Sequence, residues 1–362
     1  MATYPGKPGK IAFSRQNVSS NDIFTFSLGQ TPGPLMSTTM VQERDPYYSA
    51  DGRSIVFTYD DGTGSEVALM PATGGPPSFL TSGGNASADP AISPYGNMVV
   101  FEHFESGDQD IYIVSSAGGT ATPLTATPSD EREVSFSPDG SLITFAVGGE
   151  IAVMAPSPGQ ATELTDDGFF DSSPVFSPDG RRIAFAKSNS NDTASRIWVM
   201  NVDGSNQHPV SPASGYRNSP VFAPDGSRIV FSRQIPPGTN DIWSMPAGGG
   251  AEVPLTTGDT GGFGFDWQAL PVSCGGLRAT MVGSPKANRL VGTAGRDVIA
   301  GLGGRDRIRG GRGKDVLCGG GKRDKLLGGG GRDRLIGGAG RDSCTGGPKR
   351  DSARSCERRR SL

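Results

Sequence analysis

The sequence predicts an all-β protein in two parts, and three observations carry that expectation. Glycine and proline are abundant, 55 and 28 of 362 residues, and no long run shows the i, i+3, i+4, i+7 apolar spacing of a helix. A turn motif recurs roughly every 44 residues up to about residue 270, and a nonapeptide then repeats without a gap to residue 354. Charge divides at the same place. After Cys274 there are 21 Lys/Arg and 8 Asp/Glu, about +13, while the rest of the chain carries about −16. Segments of opposite sign are expected to be separate bodies.

Aligned on its turns, the first part reads YYSADGRSIVFTYD from Tyr47, AISPYGNMVVFEHF from Ala91, VSFSPDGSLITFAV from Val134, VFSPDGRRIAFAKS from Val175 and VFAPDGSRIVFSRQ from Val221. The turn glycines Gly52, Gly96, Gly140, Gly180 and Gly226 are 44, 44, 40 and 46 residues apart. Such a period marks one supersecondary unit copied in series. In each copy a strand ends in the turn, where Gly supplies a positive φ and, in four of the five copies, Pro presets one dihedral. An alternating strand such as RIVFSR follows. A polar loop leads to a third strand that opens at Asp22, Glu66, Asp110, Glu150, Arg196 or Asp241, and an outer strand ending in Leu-Thr closes the unit.

Four strands in about 44 residues is the size of a β-propeller blade. The chain starts inside a blade, at GKIAFSR from Gly9, and GFGFDWQAL from Gly262 reads as a first strand with no blade after it. A six-bladed β-propeller is therefore expected over residues 9–270, with residues 263–270 completing the first blade and removing open sheet edges. These units resemble the TolB-like propeller family through the SPDG-x-x-I-x-F and D-I-W/Y-x-M elements just quoted. The resemblance implies the fold and leaves function open, because a fold does not select among its many uses.

An enzyme in this part would need more than the sequence offers. There are two histidines, His103 and His208, and no GxSxG element, so a Ser-His-acid hydrolase is excluded. His103 alternates with apolar neighbours and reads as strand packing; His208 reads as exposed. The acids before the third strands, Asp22, Glu66, Asp110, Glu150 and Asp241, could ring a channel and hold a cation, or could cap turns, and the second role is the expected one. Trp198 and Trp243 occupy matching positions and read as core between blades. Asp60-Asp61 and Asp166-Asp167 read as solvated loops.

From Gly292 the second part divides into GTAGRDVIA, GLGGRDRIR, GGRGKDVLC, GGGKRDKLL, GGGGRDRLI, GGAGRDSCT and GGPKRDSAR. The sixth residue is always aspartate: Asp297, Asp306, Asp315, Asp324, Asp333, Asp342 and Asp351. The eighth is Ile299, Ile308, Leu317, Leu326, Leu335, Cys344 and Ala353. This pattern, GGxGxDxUx, is similar to the repeats-in-toxin or haemolysin-type calcium-binding family. The likeness implies a C-terminal parallel β-roll, or β-helix, over residues 283–357, after a linker at 271–282. Each nonapeptide makes a glycine turn and a short strand, so residues 18 apart stack. Asp297, Asp315, Asp333 and Asp351 would line one edge, and Asp306, Asp324 and Asp342 the other, with Ca²⁺ held by these carboxylates and by glycine carbonyls in an all-oxygen shell. One departure stands out. The fifth residue is Arg296, Arg305, Lys314, Arg323, Arg332, Arg341 or Arg350, where the family carries Asn or Asp. A cation there opposes calcium and offers an alternative, an Arg–Asp ladder without metal.

The four cysteines match no metal-binding spacing and suggest disulfides, hence an oxidising setting. Cys274–Cys318 with Cys344–Cys356 is the pairing taken here from three connectivities. No run approaches a membrane span and no apolar signal segment precedes Ala12. The expected function is that of a secreted or envelope-associated calcium-binding protein whose propeller binds a protein or glycan without catalysis. The alternatives are a propeller enzyme of the lyase or peptidase kind, and a basic roll that adheres to anionic wall polymers without calcium. Specific nucleic-acid binding is not expected, since no aromatic residues interleave the terminal arginines.

Overall fold

The computed structural model describes residues 5–360 apart from 17–19, 84–85, 106, 189–193, 236–238, 258–263, 271 and 284–286. Every regular element among them is a strand. The chain divides into two compact units, Pro8–Ala269, and Leu270–Leu362 together with Pro5–Lys7.

In the first unit the turn motifs fold by local chemistry. The five turn glycines have φ between 68° and 72°, a region closed to most side chains. In three copies the serine hydroxyl donates to the aspartate two residues on, as from Ser49 to Asp51 at 2.6 Å and from Ser137 to Asp139 at 2.7 Å. The same carboxylate accepts an amide from the start of the next segment, Arg53 or Ser141. The flanking strands then bury apolar residues against the neighbouring sheet, so that Val99, Phe101, Val134, Phe136 and Phe145 share one core.

Four of the acids that open the third strands, expected to cap turns and bond to backbone, accept instead from hydroxyls just beyond the outer strand. Asp22 accepts from Ser37 Oγ at 2.9 Å, Asp110 from Thr125 Oγ1 at 3.1 Å, Asp241 from Thr256 Oγ1 at 3.4 Å, and Glu66 from Thr81 Oγ1. Each of these threonine oxygens also accepts an amide, from Val67, Ile111 or Ile242, at 2.8–2.9 Å. The recurrent Leu-Thr therefore holds the outer strand to the third by side chain as well as by backbone. Thr125→Val is expected to strand the buried Ile111 amide and cost about 1–3 kcal/mol, seen as a lower urea midpoint with an unchanged slope.

The expected six-bladed β-propeller with a separate roll requires correction. Four repeats form four-stranded antiparallel sheets, for example Glu131–Phe136, Ile143–Val147, Glu150–Met154 and Thr162–Glu163, but the earliest repeats do not separate into discrete blades. Phe265–Leu270, Lys7–Gln16, Asn21–Phe26, Gly33–Met36, Gln42–Tyr48, Ser54–Asp60, Ser65–Pro71 and Ser78–Phe79 make one eight-stranded sheet. Its cause is a parallel pairing of Asn21 with Gln42, whose side chains bond at 2.6 Å. The resemblance to a six-bladed family fold followed by a β-roll is corrected in the same respect. The sheets are β-units in series, and from Met281 onward they are the stacked 18-residue turns of a β-solenoid. Within the segment expected at 263–270, the strand Phe265–Leu270 lies beside Lys7–Gln16, and Phe263 is outside the described residues.

The second unit is built from two parallel five-stranded sheets. Strands pair at an offset of 18, as Val298 with Val316 and Arg307 with Lys325. The eighth residues point inward: Ile299, Ile308, Leu317, Leu326, Leu335 and Cys344 are at most 1% exposed. With so thin a core, the ends need other support. The stretch expected as a linker carries the hairpin Ser273–Cys274 with Leu277–Arg278 and packs Val272, Cys274 and Ala279 against Val298 and Val316. Disulfides join Cys274 to Cys318 and Cys344 to Cys356, the pairing taken from the sequence.

Candidate calcium site

Two columns of aspartates run along the solenoid edges, and six of the seven carboxylates have one satisfied and one unsatisfied oxygen. In the first column Asp315 Oδ1 accepts the Asp297 amide at 2.9 Å, Asp333 Oδ1 the Asp315 amide at 3.0 Å, and Asp351 Oδ1 the Asp333 amide at 2.7 Å. In the second, Asp306 accepts from Asn288, Asp324 from Asp306 and Asp342 from Asp324 at 2.7–2.8 Å. These bonds fix the side chains and aim the second oxygens into the stack. Oδ2 of Asp306, Asp315, Asp324, Asp333, Asp342 and Asp351 is buried without a hydrogen-bond partner.

Orphaned buried carboxylate oxygens are costly unless a cation answers them. What faces them is glycine. A Cβ added to Gly310 would lie 2.3 Å from Asp315 Oδ2 and 2.7 Å from the Gly328 carbonyl oxygen, and one added to Gly319 would lie 2.5 Å from both Asp324 Oδ2 and the Gly337 oxygen. Neither glycine has a positive φ, so close approach, and not backbone freedom, excludes a side chain. The cradle brings together carboxylate and carbonyl oxygens and nothing softer, which is the donor set of a hard divalent ion. The residues present fit calcium.

Electrostatics agree. Burial pushes the carboxyls of Asp306, Asp315 and Asp324 up to about 6, against the lowering effect of the amide each accepts; the neighbouring aspartate one turn away raises them further. Asp333 is raised for the same reasons, and Asp342 is raised by burial and by the nearby Glu357. The fifth-position cations do not relieve this. Arg296, Arg305, Lys314, Arg323, Arg332, Arg341 and Arg350 are all exposed, and among the described residues none is ion-paired to a column carboxylate.

The structure also separates members that look alike in sequence. Asp297 differs from the other six, because its Oδ2 accepts from the Thr293 amide at 2.7 Å and hydroxyl at 3.1 Å. Glu357, which no repeat register marks, ends the second column by accepting the Asp342 amide. The last turn there is shorter, with Ser343 paired to Arg358, so a longer side chain reaches the place of an aspartate. Lys322, where glycine would make the turn, adopts φ 78°.

Elsewhere the first unit holds a cluster that sequence spacing did not reveal. Bulges in the first strands give Asp45, Asp89 and Glu133 positive φ and bring their acids near Glu102. Burial raises all four, and the nearby carboxylates add to the rise. Glu102 accepts the Glu133 amide and Glu133 the Ser173 amide, each at 2.5 Å. His103 lies instead against Ser87 Oγ, at 3.0 Å, and the Tyr112 ring, and exposed His208 bonds to the Asn206 carbonyl. Trp198 and Trp243 are half-buried with cations over their rings, Arg233 at 4.5 Å from Trp243. Asp167, expected in a solvated loop, pairs with Lys187 at 2.6 Å; that lysine also bonds to Asp171 at 3.1 Å and supplies the cation for the group Glu150, Asp167 and Asp171.

Comparison with known proteins follows the same division. The family model described as TolB beta propeller domain matches residues 4–147 and 82–260, and the RTX calcium-binding nonapeptide repeat matches 282–317 and 319–351. Among proteins of curated function none matches. Of solved structures, TolB from Acinetobacter baumannii is similar at 20% identity and TM-score 0.61, covering 72% of this chain and 67% of that one. A putative TolB from Agrobacterium tumefaciens is 23% identical, with TM-score 0.56, over 70% of this chain and 91% of that one. A chain in a nidogen/laminin complex is 11% identical, with TM-score 0.58, over 72% and 99%. At these identities the likeness is one of fold. Matched from residue 4 to residue 260, the chain belongs to the TolB beta propeller domain family, and its C-terminal repeats are of the RTX type that binds Ca²⁺.

Proposed function

We propose that this is a non-catalytic binding protein of the cell envelope or extracellular space, whose C-terminal solenoid is locked by calcium. The observation that carries the reading is the set of six buried, unpartnered Oδ2 atoms, five of them shown close against a glycine. Asp306, Asp315, Asp324, Asp333, Asp342 and Asp351 would hold the ions with the facing glycine carbonyls, and Asp297 would contribute less because Thr293 already occupies its oxygen. Bound calcium supplies the positive charge the columns lack. Folding and binding are then coupled, and the millimolar-range affinity common in extracellular modules makes the solenoid firm outside the cell. The working division is residues 9–270 for a protein or glycan partner, 271–282 as the junction and 283–357 for calcium.

Support for a non-catalytic role comes from the family and from the acid cluster in the first unit, where one oxygen of Glu102 and one of Glu133 each accept a backbone amide and the others accept from Gln109 and the Ser173 hydroxyl. Among the described residues, no helix is long and apolar enough to cross a membrane.

Calorimetric titration of the oxidised full chain with Ca²⁺ tests the reading. Binding heat is expected, weakened by Asp315→Asn and by Gly310→Ala, whose added methyl enters the cradle without removing a ligand. Heat unchanged in both variants, or no heat in the parent protein, would overturn it.

A further inference from the structure

The second unit has a surface charge that calcium does not explain. All of its aspartates stand in the two columns, six of the seven are buried, and Glu357 is its one exposed acid. Against this stand the 21 Lys/Arg that follow Cys274. The fifth-position cations repeat with the turn. Arg296, Lys314, Arg332 and Arg350 follow one edge and border one open groove, while Arg305, Arg323 and Arg341 follow the other edge and border a second. Parallel strands lie about 4.8 Å apart, so each edge presents a straight row of exposed cations at roughly that interval.

Equal charges so close repel one another, and a solvated surface would gain by scattering them. What suits a regular row is a line of anions of similar pitch, held by several weak contacts at once and favoured by release of its counterions. Six of the seven row members are arginine, whose planar fork takes an oxyanion in two parallel bonds. Other polyanions fit less well. No aromatic residue follows Trp267, so single-stranded bases have nothing to stack on, and among the described residues of 271–360 Leu277 is the one exposed large hydrophobic residue, which leaves a lipid surface little to insert.

We propose that the two cationic rows bind an extended acidic polysaccharide through its sulfate or carboxylate groups. The column aspartates line the same two grooves as the cations, and measuring binding both with Ca²⁺ and in chelator separates this inference from the calcium reading.

The test uses the oxidised full chain with fluorescent dextran sulfate and carboxymethyl dextran, against unmodified dextran of the same length. Measurements are made with Ca²⁺ and in chelator, over a series of salt concentrations. Both charged polymers are expected to bind and the neutral one not to. Lys314→Gln/Arg332→Gln/Arg350→Gln removes three members of one row and should weaken binding at least tenfold, with the slope of log affinity on log salt reduced by about two to three. Arg309→Gln/Arg312→Gln/Arg354→Gln removes equal charge from exposed positions outside the rows and should weaken it far less. All six residues are exposed, and an unchanged circular dichroism spectrum checks that the variants fold. Equal losses in the two triple variants would overturn the row as the binding element. Binding of neutral dextran, or equally tight binding of a DNA duplex at the same salt, would overturn the assignment to an acidic polysaccharide.

Discussion

In chelator, the melting temperature of the C-terminal unit should fall as pH rises from 4 to 7, and Ca²⁺ should remove that slope. The sign follows from the columns. Asp306, Asp315 and Asp324 have carboxyls raised to about 6 in the fold against about 3.9 in an unfolded chain. The folded state therefore holds more protons across that window. Stability is fully present below the unfolded value and is lost as pH climbs through the folded one. Calcium replaces the protons at neutral pH and, binding only the folded form, adds stability with concentration. For a unit of this size 1 kcal/mol moves the midpoint by about 4–8 °C, so a shift of at least ~5 °C is expected and is readable by circular dichroism. A midpoint that rises with pH in chelator would show that the carboxylates ionise without strain and that no cation is needed.

Opening the Cys274–Cys318 disulfide should have the second large effect. It closes a span of 44 residues from the capping hairpin to the third solenoid turn, and the chain-entropy account gives about 4 kcal/mol for a loop of that length. Cys344–Cys356 closes 12 and should yield about 3 kcal/mol on the same account. Cys274→Ala/Cys318→Ala is thus expected to lower the urea midpoint of the second unit more than Cys344→Ala/Cys356→Ala, with the first unit's transition unmoved. Equal effects would mean that the hairpin holds its place by packing alone. The prediction rests on a thin interior: a core of single Ile, Leu and Cys residues per half-turn has little to offer once a restraint on the unfolded chain is gone.

Much of this was legible in the sequence, because the informative features are local and repeated. A glycine at a fixed place after Ser-Pro-Asp has one conformation to adopt, and Gly140 and Gly180 adopt it. In a nonapeptide with aspartate sixth and an aliphatic residue eighth, both side chains return every 18 residues to the same face once two repeats make a coil. The period, together with the family likeness, determined the two columns and the buried row of Ile and Leu.

Tertiary structure decided what depends on distance across the chain. The parallel pairing of Asn21 with Gln42 merged strands that the repeats present as separate. Bulges at Asp45, Asp89 and Glu133 gathered acids that lie 44 residues apart, and no linear spacing marks a bulge. Asp297 and Asp315 occupy the same place in their nonapeptides, yet Thr293 binds one and leaves the other's oxygen bare. Sequence could place arginine beside aspartate but not say whether they pair. That was settled by direction: consecutive residues at a strand entrance point to opposite sides, so the aspartates turn inward to the backbone amides and the arginines outward to water.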